Sequence, residues 1–206
     1  FLYLSQVQQA MAITTAVEYW RSRRPVCMGA LYWQLNDLWP VASWASIEYS
    51  GRWKLLHYAA RRFFRPLHLA LIPTEREETE VNLVNDTFDA VEGTLTQRAR
   101  RFDGTIMHEE QQRLSAAPES AQRVAVIRSP ADPGSYFLEA VFSPDPPPRS
   151  APSSNRSPST SPIAAYRLSA RPKHCLIEES TVTVTPRQAA ESVEIVLECD
   201  RPAFFL

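Results

Sequence analysis

The sequence predicts a multidomain α/β plus all-β chain, with a short helical and strand segment followed by antiparallel β-sandwich structure. Three observations carry this expectation. Residues 3 to 64 place one uncharged run between two stretches of helical periodicity. Residues 67 to 142 break into short, strand-like segments bounded by turn residues. A Pro/Ser-rich stretch then interrupts the strands before they resume at Ile163.

Between positions 3 and 20, Tyr3, Val7, Ala10, Ile13, Val17 and Trp20 recur at helical spacing and predict an amphipathic helix with one buried face. Arg21-Ser-Arg-Arg-Pro25 ends it, with cations suited to the C-terminal dipole and a proline that cannot continue the helix. Val26 to Trp33 lacks both charge and helical period, and predicts a strand buried on both faces, as in a parallel sheet or barrel. After a polar and aromatic loop, Gly51 precedes a second helix from Arg52 to Phe64. Its polar stripe is Lys54, His57, Arg61 and Arg65, and its apolar side is Leu56, Ala59, Ala60 and Phe63. Helix, strand, loop, helix reads as the end of a β/α series, so the remaining units of that core are expected upstream of Phe1.

From Leu67 onward, segments at 67–72, 80–85, 93–102, 105–110, 121–127 and 135–142 have strand composition, with Asp103-Gly104 as a two-residue hairpin turn. This is a β-sandwich pattern of about a hundred residues. Residues 143–162 are rich in Pro and Ser and are expected to be a disordered or extended loop inside it, because they offer little to bury. Strand character returns at Ile163–Leu168. After Pro172, Thr181–Thr185 and Val193–Glu198 alternate and predict the first two strands of a further sandwich. The expected divisions are therefore 1–65, 66–172 and 173–206.

The bulk numbers set bounds on partners. In 206 residues, 22 Lys and Arg balance 23 Asp and Glu, which leaves no electrostatic footprint for nucleic acid or an anionic membrane. Mean hydropathy is -0.28, and no apolar run approaches a membrane-spanning length. Phe1-Leu-Tyr-Leu-Ser-Gln is no basic flank before an apolar core, and the abrupt apolar ends at Phe1 and Leu206 suggest a cut chain. Cys27 is expected to be a small buried hydrophobe, whereas Cys175 and Cys199 flank a possible hairpin and could pair in an oxidising compartment. No metal-ligand spacing is present, and nothing calls for a cofactor.

Chemistry is concentrated in Met28-Gly-Ala-Leu-Tyr-Trp-Gln-Leu-Asn-Asp-Leu-Trp-Pro40 and its continuation. Four of the five tryptophans, Trp33, Trp39, Trp44 and Trp53, fall here. A flat aromatic face matches the C–H face of a pyranose and leaves the sugar hydroxyls free for hydrogen bonds, so the site suggested is one for carbohydrate. Asn85-Asp-Thr87 and Asn155-Arg-Ser157 are sequons, with Asn85 and Asn155 as candidate glycan acceptors; chance occurrence is the competing reading.

Gly29-Ala-Leu-Tyr-Trp-Gln-Leu-Asn-Asp-Leu-Trp-Pro40, Ser43-Trp-Ala-Ser-Ile-Glu-Tyr-Ser-Gly-Arg-Trp-Lys54 and His57-Tyr-Ala-Ala-Arg-Arg-Phe-Phe64 resemble the β-mannosidases of glycoside hydrolase family 2, most of all their eukaryotic, lysosomal-type branch. The likeness is dense from Tyr3 to Pro66. It thins through the sandwich, where Val84-Asn-Asp-Thr87 and Val91-Glu-Gly-Thr94 still fit, and returns at Arg171-Pro-Lys173. The Pro/Ser insertion departs from the family pattern. The resemblance implies the C-terminal end of a (β/α)8 TIM barrel followed by immunoglobulin-like β-sandwich domains, in a lysosomal or secreted protein. It also implies an oligosaccharide substrate with terminal β-mannose, and the remainder of its own polypeptide as partner.

On that basis Trp33 matches the floor beneath the sugar, against a competing reading as barrel core packing. Asn36 and Asp37 are candidates to hydrogen-bond a mannose hydroxyl, against the loop-closing backbone contacts common for such residues. Trp39 and Trp44 either wall the pocket or pack the loop. Glu48 matches no catalytic position of the family, and His57 reads as structural. Both catalytic glutamates of the family lie on earlier strands, so this stretch alone is expected to be inactive. The alternatives are another family 2 exo-glycosidase, or a non-catalytic carbohydrate-binding or interaction module working through the sandwich. The latter is disfavoured because residues 67–171 contain no tryptophan.

Overall fold

The computed structural model describes residues 1–146, 161–188 and 192–204. Two helices, α1 (Leu2–Ser22) and α2 (Leu55–Phe63), precede nine strands: β1 (Leu67–Pro73), β2 (Glu78–Asn85), β3 (Val91–Arg101), β4 (Ile106–Ala116), β5 (Ser120–Arg128), β6 (Tyr136–Pro144), β7 (Ile163–Leu168), β8 (Val182–Gln188) and β9 (Val193–Cys199). Three sheets result, with strand orders β1-β2-β5, β4-β3-β6-β7 and β8-β9. The chain divides into two compact units, one of residues 1–96, 111–128 and 140–165, the other of 97–110, 129–139 and 166–206.

In the first unit both helices form, although of the predicted α1 face only Val17 is buried. Val17 of α1 and Leu56, Ala59, Ala60 and Phe63 of α2 make one buried cluster, flanked by Ala10, Ile13, Ala30 and Tyr32. The predicted ends of the α1 face, Tyr3 and Trp20, remain exposed. Leu67 pairs with Asn85 and Pro73 with Thr79 across β1 and β2, and β2 pairs antiparallel with β5, with a register shift between Val81 and Asn82. Alternation along β3 buries Val91, Gly93 and Leu95. Gly93 has a steric reason: a Cβ there would stand 2.4 Å from the Ser143 carbonyl oxygen and 2.7 Å from the Phe142 ring.

In the second unit the β3–β4 connection differs slightly from the expected two-residue turn. The Arg101 carbonyl accepts from the Gly104 N–H, and the Arg101 N–H donates to the Thr105 carbonyl. Three residues, Phe102 to Gly104, therefore make the turn, with Gly104 at φ +93°. Phe102, Phe137 and Leu168 form this unit's buried cluster, joined by Cys175 and Phe204. Strands β8 and β9 pair from Val182↔Cys199 to Gln188↔Val193, and leave Val184, Val193, Ile195 and Leu197 exposed.

One prediction fails outright. Residues 26–33 form no strand, and Val26, Met28, Leu31 and Trp33 are exposed rather than buried. An uncharged run becomes a doubly buried strand only where parallel neighbours take up its N–H and C=O groups, and among the described residues no strand lies alongside it. Among the described residues no TIM barrel is formed, and the sheets are antiparallel where their register is defined. Residues 147–160 of the Pro/Ser stretch, Asn155 included, lie outside the described residues. Cys27, Cys175 and Cys199 are free thiols: Cys27 is half-buried, not fully enclosed, and Cys175 and Cys199 are not joined. Burial pushes the Cys175 thiol up in pKa, and the thiol donates to the Ala170 carbonyl.

Candidate functional site

The aromatic stretch runs from the end of α1 to the start of α2, without regular structure of its own apart from two isolated bridges, Asn36↔Ile47 and Ile47↔Trp53. Its shape is set by hydrogen bonds to itself and to the helices. The Asp37 N–H donates to the Ile47 carbonyl at 3.0 Å, and the Ile47 N–H to the Leu35 carbonyl at 2.8 Å. Gln9 of α1 donates its side-chain amide to the Trp44 carbonyl at 2.7 Å, and the Gln6 amide oxygen accepts from the Leu55 N–H at the start of α2. That last contact takes up a helix-end donor that Lys54, the residue at the cap position, does not satisfy.

Ser46, wholly buried, is the hub. Its hydroxyl donates to the Leu35 carbonyl at 2.9 Å, so it accepts from the Tyr32 hydroxyl at 3.0 Å and from His57 Nδ1 at 3.1 Å. This requires the proton on Nδ1 and agrees with the structural reading of His57, whose ring also meets Trp53 edge-on at 4.3 Å. Tyr32 packs against Phe63 and Phe64, with centroids 6.4 Å away in each case.

Asp37 is buried and turned inward. Its carboxylate accepts from the Ser43 hydroxyl and from Lys54 Nζ, the latter at 3.1 Å. The Ser43 hydrogen bond, reinforced by Lys54 against the opposing effect of burial, holds the Asp37 carboxyl below the usual carboxylate range. With each oxygen accepting one of these bonds, Asp37, a sugar-ligand candidate by sequence, acts here as a clasp of the loop. Asn36 is exposed; its amide donates to the Asp37 carbonyl at 3.2 Å, and its own carbonyl accepts from Gln34. Glu48 accepts from the Ser50 hydroxyl at 2.6 Å and pairs with Arg52, and these contacts lower its pKa. It belongs to a turn closed by the Gly51 N–H on the Glu48 carbonyl, with Gly51 at φ +87°.

What this frame presents outward is aromatic. Trp33, Trp39 and Trp44 are 75%, 62% and 59% exposed, with Leu31, Leu35 and Leu38 beside them in the chain. Isolated exposed apolar residues are ordinary, but a single loop that carries six is a surface shaped to be covered. The residues that hold it, Tyr32, Ser43, Ser46, Lys54, Gln6 and Gln9, were not marked as functional by sequence. Only Lys54, on the predicted polar stripe of α2, carried a usable signal.

Asn85, a candidate glycan acceptor by sequence, is enclosed in the fold. Its side chain is wholly buried, donates to the carbonyls of Asp89, Ala116 and Ala117, and accepts from the N–H and hydroxyl of Thr87. In the fold it presents no amide to a glycan. Among the described residues, no group of His, Cys, Asp and Glu is placed to hold a metal ion, and no helix is long and apolar enough to cross a membrane.

Residues 77–145 match the Mannosidase Ig/CBM-like domain family. The chain is 47% identical to the beta-mannosidase of Capra hircus over 95 residues, which are 43% of this chain and 10% of that protein. It is 58% identical to the beta-mannosidase of Mus musculus over 73 residues, 32% of this chain and 8% of that one. In three dimensions it is similar to the beta-D-mannosidase of Dictyoglomus thermophilum, with a TM-score of 0.82 at 23% identity over 97% of this chain and 23% of the other. It also shares its fold with an exo-chitosanase of Amycolatopsis orientalis, with a TM-score of 0.66 at 17% identity over 96% of this chain and 26% of the other. The chain thus spans about a tenth of the length of the curated relatives it matches.

Proposed function

Taking the chain as a relative of the β-mannosidases, we propose that it is a segment of a retaining exo-β-mannosidase of glycoside hydrolase family 2. The enzyme would remove terminal non-reducing β-D-mannose from oligosaccharides and glycoproteins. In this reading residues 1–65 belong to a (β/α)8 barrel completed by other sequence, 66–172 to the sandwich after it, and 173–206 to the start of another. The observation that carries the proposal is the aromatic loop, whose tryptophans face outward from a frame of occupied polar groups.

The chemistry follows from that division of labour. Hydrolysis with retention needs two carboxyl groups about 5–5.5 Å apart, one as nucleophile and one as acid and base. Asp37 and Glu48 are held ionised by hydroxyl and cationic partners, so neither can donate a proton near neutral pH. The chain's own contribution is binding: Trp33 as the floor under the sugar, Trp39 and Trp44 as walls, and the exposed Asn36 side-chain oxygen as acceptor for a hydroxyl. Positive charge develops at the anomeric carbon in an oxocarbenium-like transition state. An indole face below it attracts that charge more strongly than it attracts the neutral ground state, which is catalysis by differential binding. A lysosomal or secreted location belongs to the same proposal, supported by the Asn155-Arg-Ser157 sequon.

In the complete enzyme, Trp33→Ala is expected to lower kcat/KM for an aryl β-mannoside by about 100-fold, equivalent to about 3 kcal/mol of transition-state binding, without altering the melting temperature. An unchanged kcat/KM would remove Trp33 from the site. Equal turnover of aryl β-mannoside and aryl β-glucosaminide would overturn the substrate assignment.

A further inference from the structure

The site proposed above leaves unexplained a group of charges at the far end of the helix pair. Arg21, in the last turn of α1, is nearly buried, with only 10% of its side chain exposed. Its guanidinium donates to the Phe63 carbonyl, an orphan acceptor at the last residue of α2, and at 2.8 Å to the Arg65 carbonyl just beyond the helix. The same group reaches Asp86, just past the end of β2, at 2.7 Å. Asp86 also accepts from Arg24 at 2.6 Å, and Arg24 in turn lies 3.6 Å from Glu119. One carboxylate of the sandwich therefore orients two arginines from the helical segment.

The α2 end gripped by Arg21 is the end against which the aromatic loop is built. Phe63 and Phe64 flank the Tyr32 ring, Tyr32 immediately precedes Trp33, and the Tyr32 hydroxyl is tied to Ser46. A planar guanidinium fork holds two carbonyls and a carboxylate in one fixed geometry, whereas an ammonium group offers three donors on a rotatable point charge. A paired charge on an open surface would matter little, but Arg21 is enclosed, so removing its anion changes where the fork points.

Resting on the mannosidase reading, we propose that Asp86 is a positioning residue for the sugar site: through Arg21 and the end of α2 it sets the orientation of Tyr32 and Trp33. The sandwich is then part of the binding apparatus, although it contributes no side chain to the sugar.

The test uses the complete enzyme labelled with fluorotryptophan, with the Trp33 resonance assigned by its loss in Trp33→Phe. Asp86→Asn and Arg21→Lys are each expected to shift the Trp33 resonance and to raise KM about fivefold with a smaller change in kcat; Asp86→Glu is expected to restore both. Asp86→Asn combined with Trp33→Phe is expected to be non-additive in kcat/KM. Variants that lose only thermal stability, with KM and the Trp33 resonance unmoved, overturn the proposal. Should the wild-type enzyme leave β-mannosides intact while the Trp33 resonance still responds to Asp86→Asn, the mannosidase reading falls and the coupling stands.

Discussion

The aromatic loop and the sandwich were built from similar sequence signals and came out differently. Val26–Trp33 and Leu67–Ile72 are both short, uncharged apolar runs next to a proline. The second is a strand buried along almost its whole length, whereas the first forms no strand and leaves Val26, Met28, Leu31 and Trp33 exposed, with Cys27, Ala30 and Tyr32 half-buried. The difference lies in the neighbours. Leu67–Pro73 finds Glu78–Asn85 a few residues on, and the seven-pair ladder of β1 with β2 takes up its backbone groups. For residues 26–33 the described chain offers no strand at all. A hydrophobic run states a need for burial, and only the rest of the fold decides whether it is met.

The contrast can be pressed by substitution. The largest effect is expected at Leu83, wholly buried in β2: Leu83→Ala is expected to cost about 3 kcal/mol in chemical denaturation, whereas Trp33→Ala, although it removes a larger side chain, is expected to cost under about 0.5 kcal/mol. Comparable losses at the two sites would mean that the loop is packed. A somewhat smaller loss, about 2 kcal/mol, is expected for Asn85→Ala, because the carbonyls of Asp89, Ala116 and Ala117 and the Thr87 N–H lose their shared partner. A neutral denaturation curve would show that water replaces the amide.

The smallest effect concerns acid. The folded pKa of Asp37 lies below its unfolded value near 4, so the unfolded chain takes up the proton first. The clasp's contribution is therefore complete above about pH 4 and is lost as the pH falls through the lowered folded value. Tryptophan emission is expected to shift over that acid range in the wild type and to stay flat in Asp37→Asn. Identical titrations would mean that Asp37 does not hold the loop.

Periodicity made much of the molecule legible. The α2 face Leu56, Ala59, Ala60 and Phe63 is buried as its spacing predicts, and the predicted strands from Leu67 to Leu168 all appear, with β4 extended to Ala116. The site was half legible. Tryptophans announce an aromatic surface by their identity alone, but the inward turn of Asp37 depends on Ser43 and Lys54, six and seventeen residues away. Asn85 illustrates the same limit: a three-residue sequon records chemistry without depth, and the amide is enclosed by carbonyls some thirty residues later. No local pattern encodes such partners, because they meet only when the sheets close.

That enclosure at Asn85 has a bearing on biosynthesis. In a secretory compartment the acceptor amide is reachable only while the Ala116–Ala117 segment has not yet closed over it. Sugar transfer and strand pairing would then run as competitors for one nitrogen. A nascent chain that folds quickly keeps the amide for its own carbonyls, and a glycan fixed there first would bar β2 from its place.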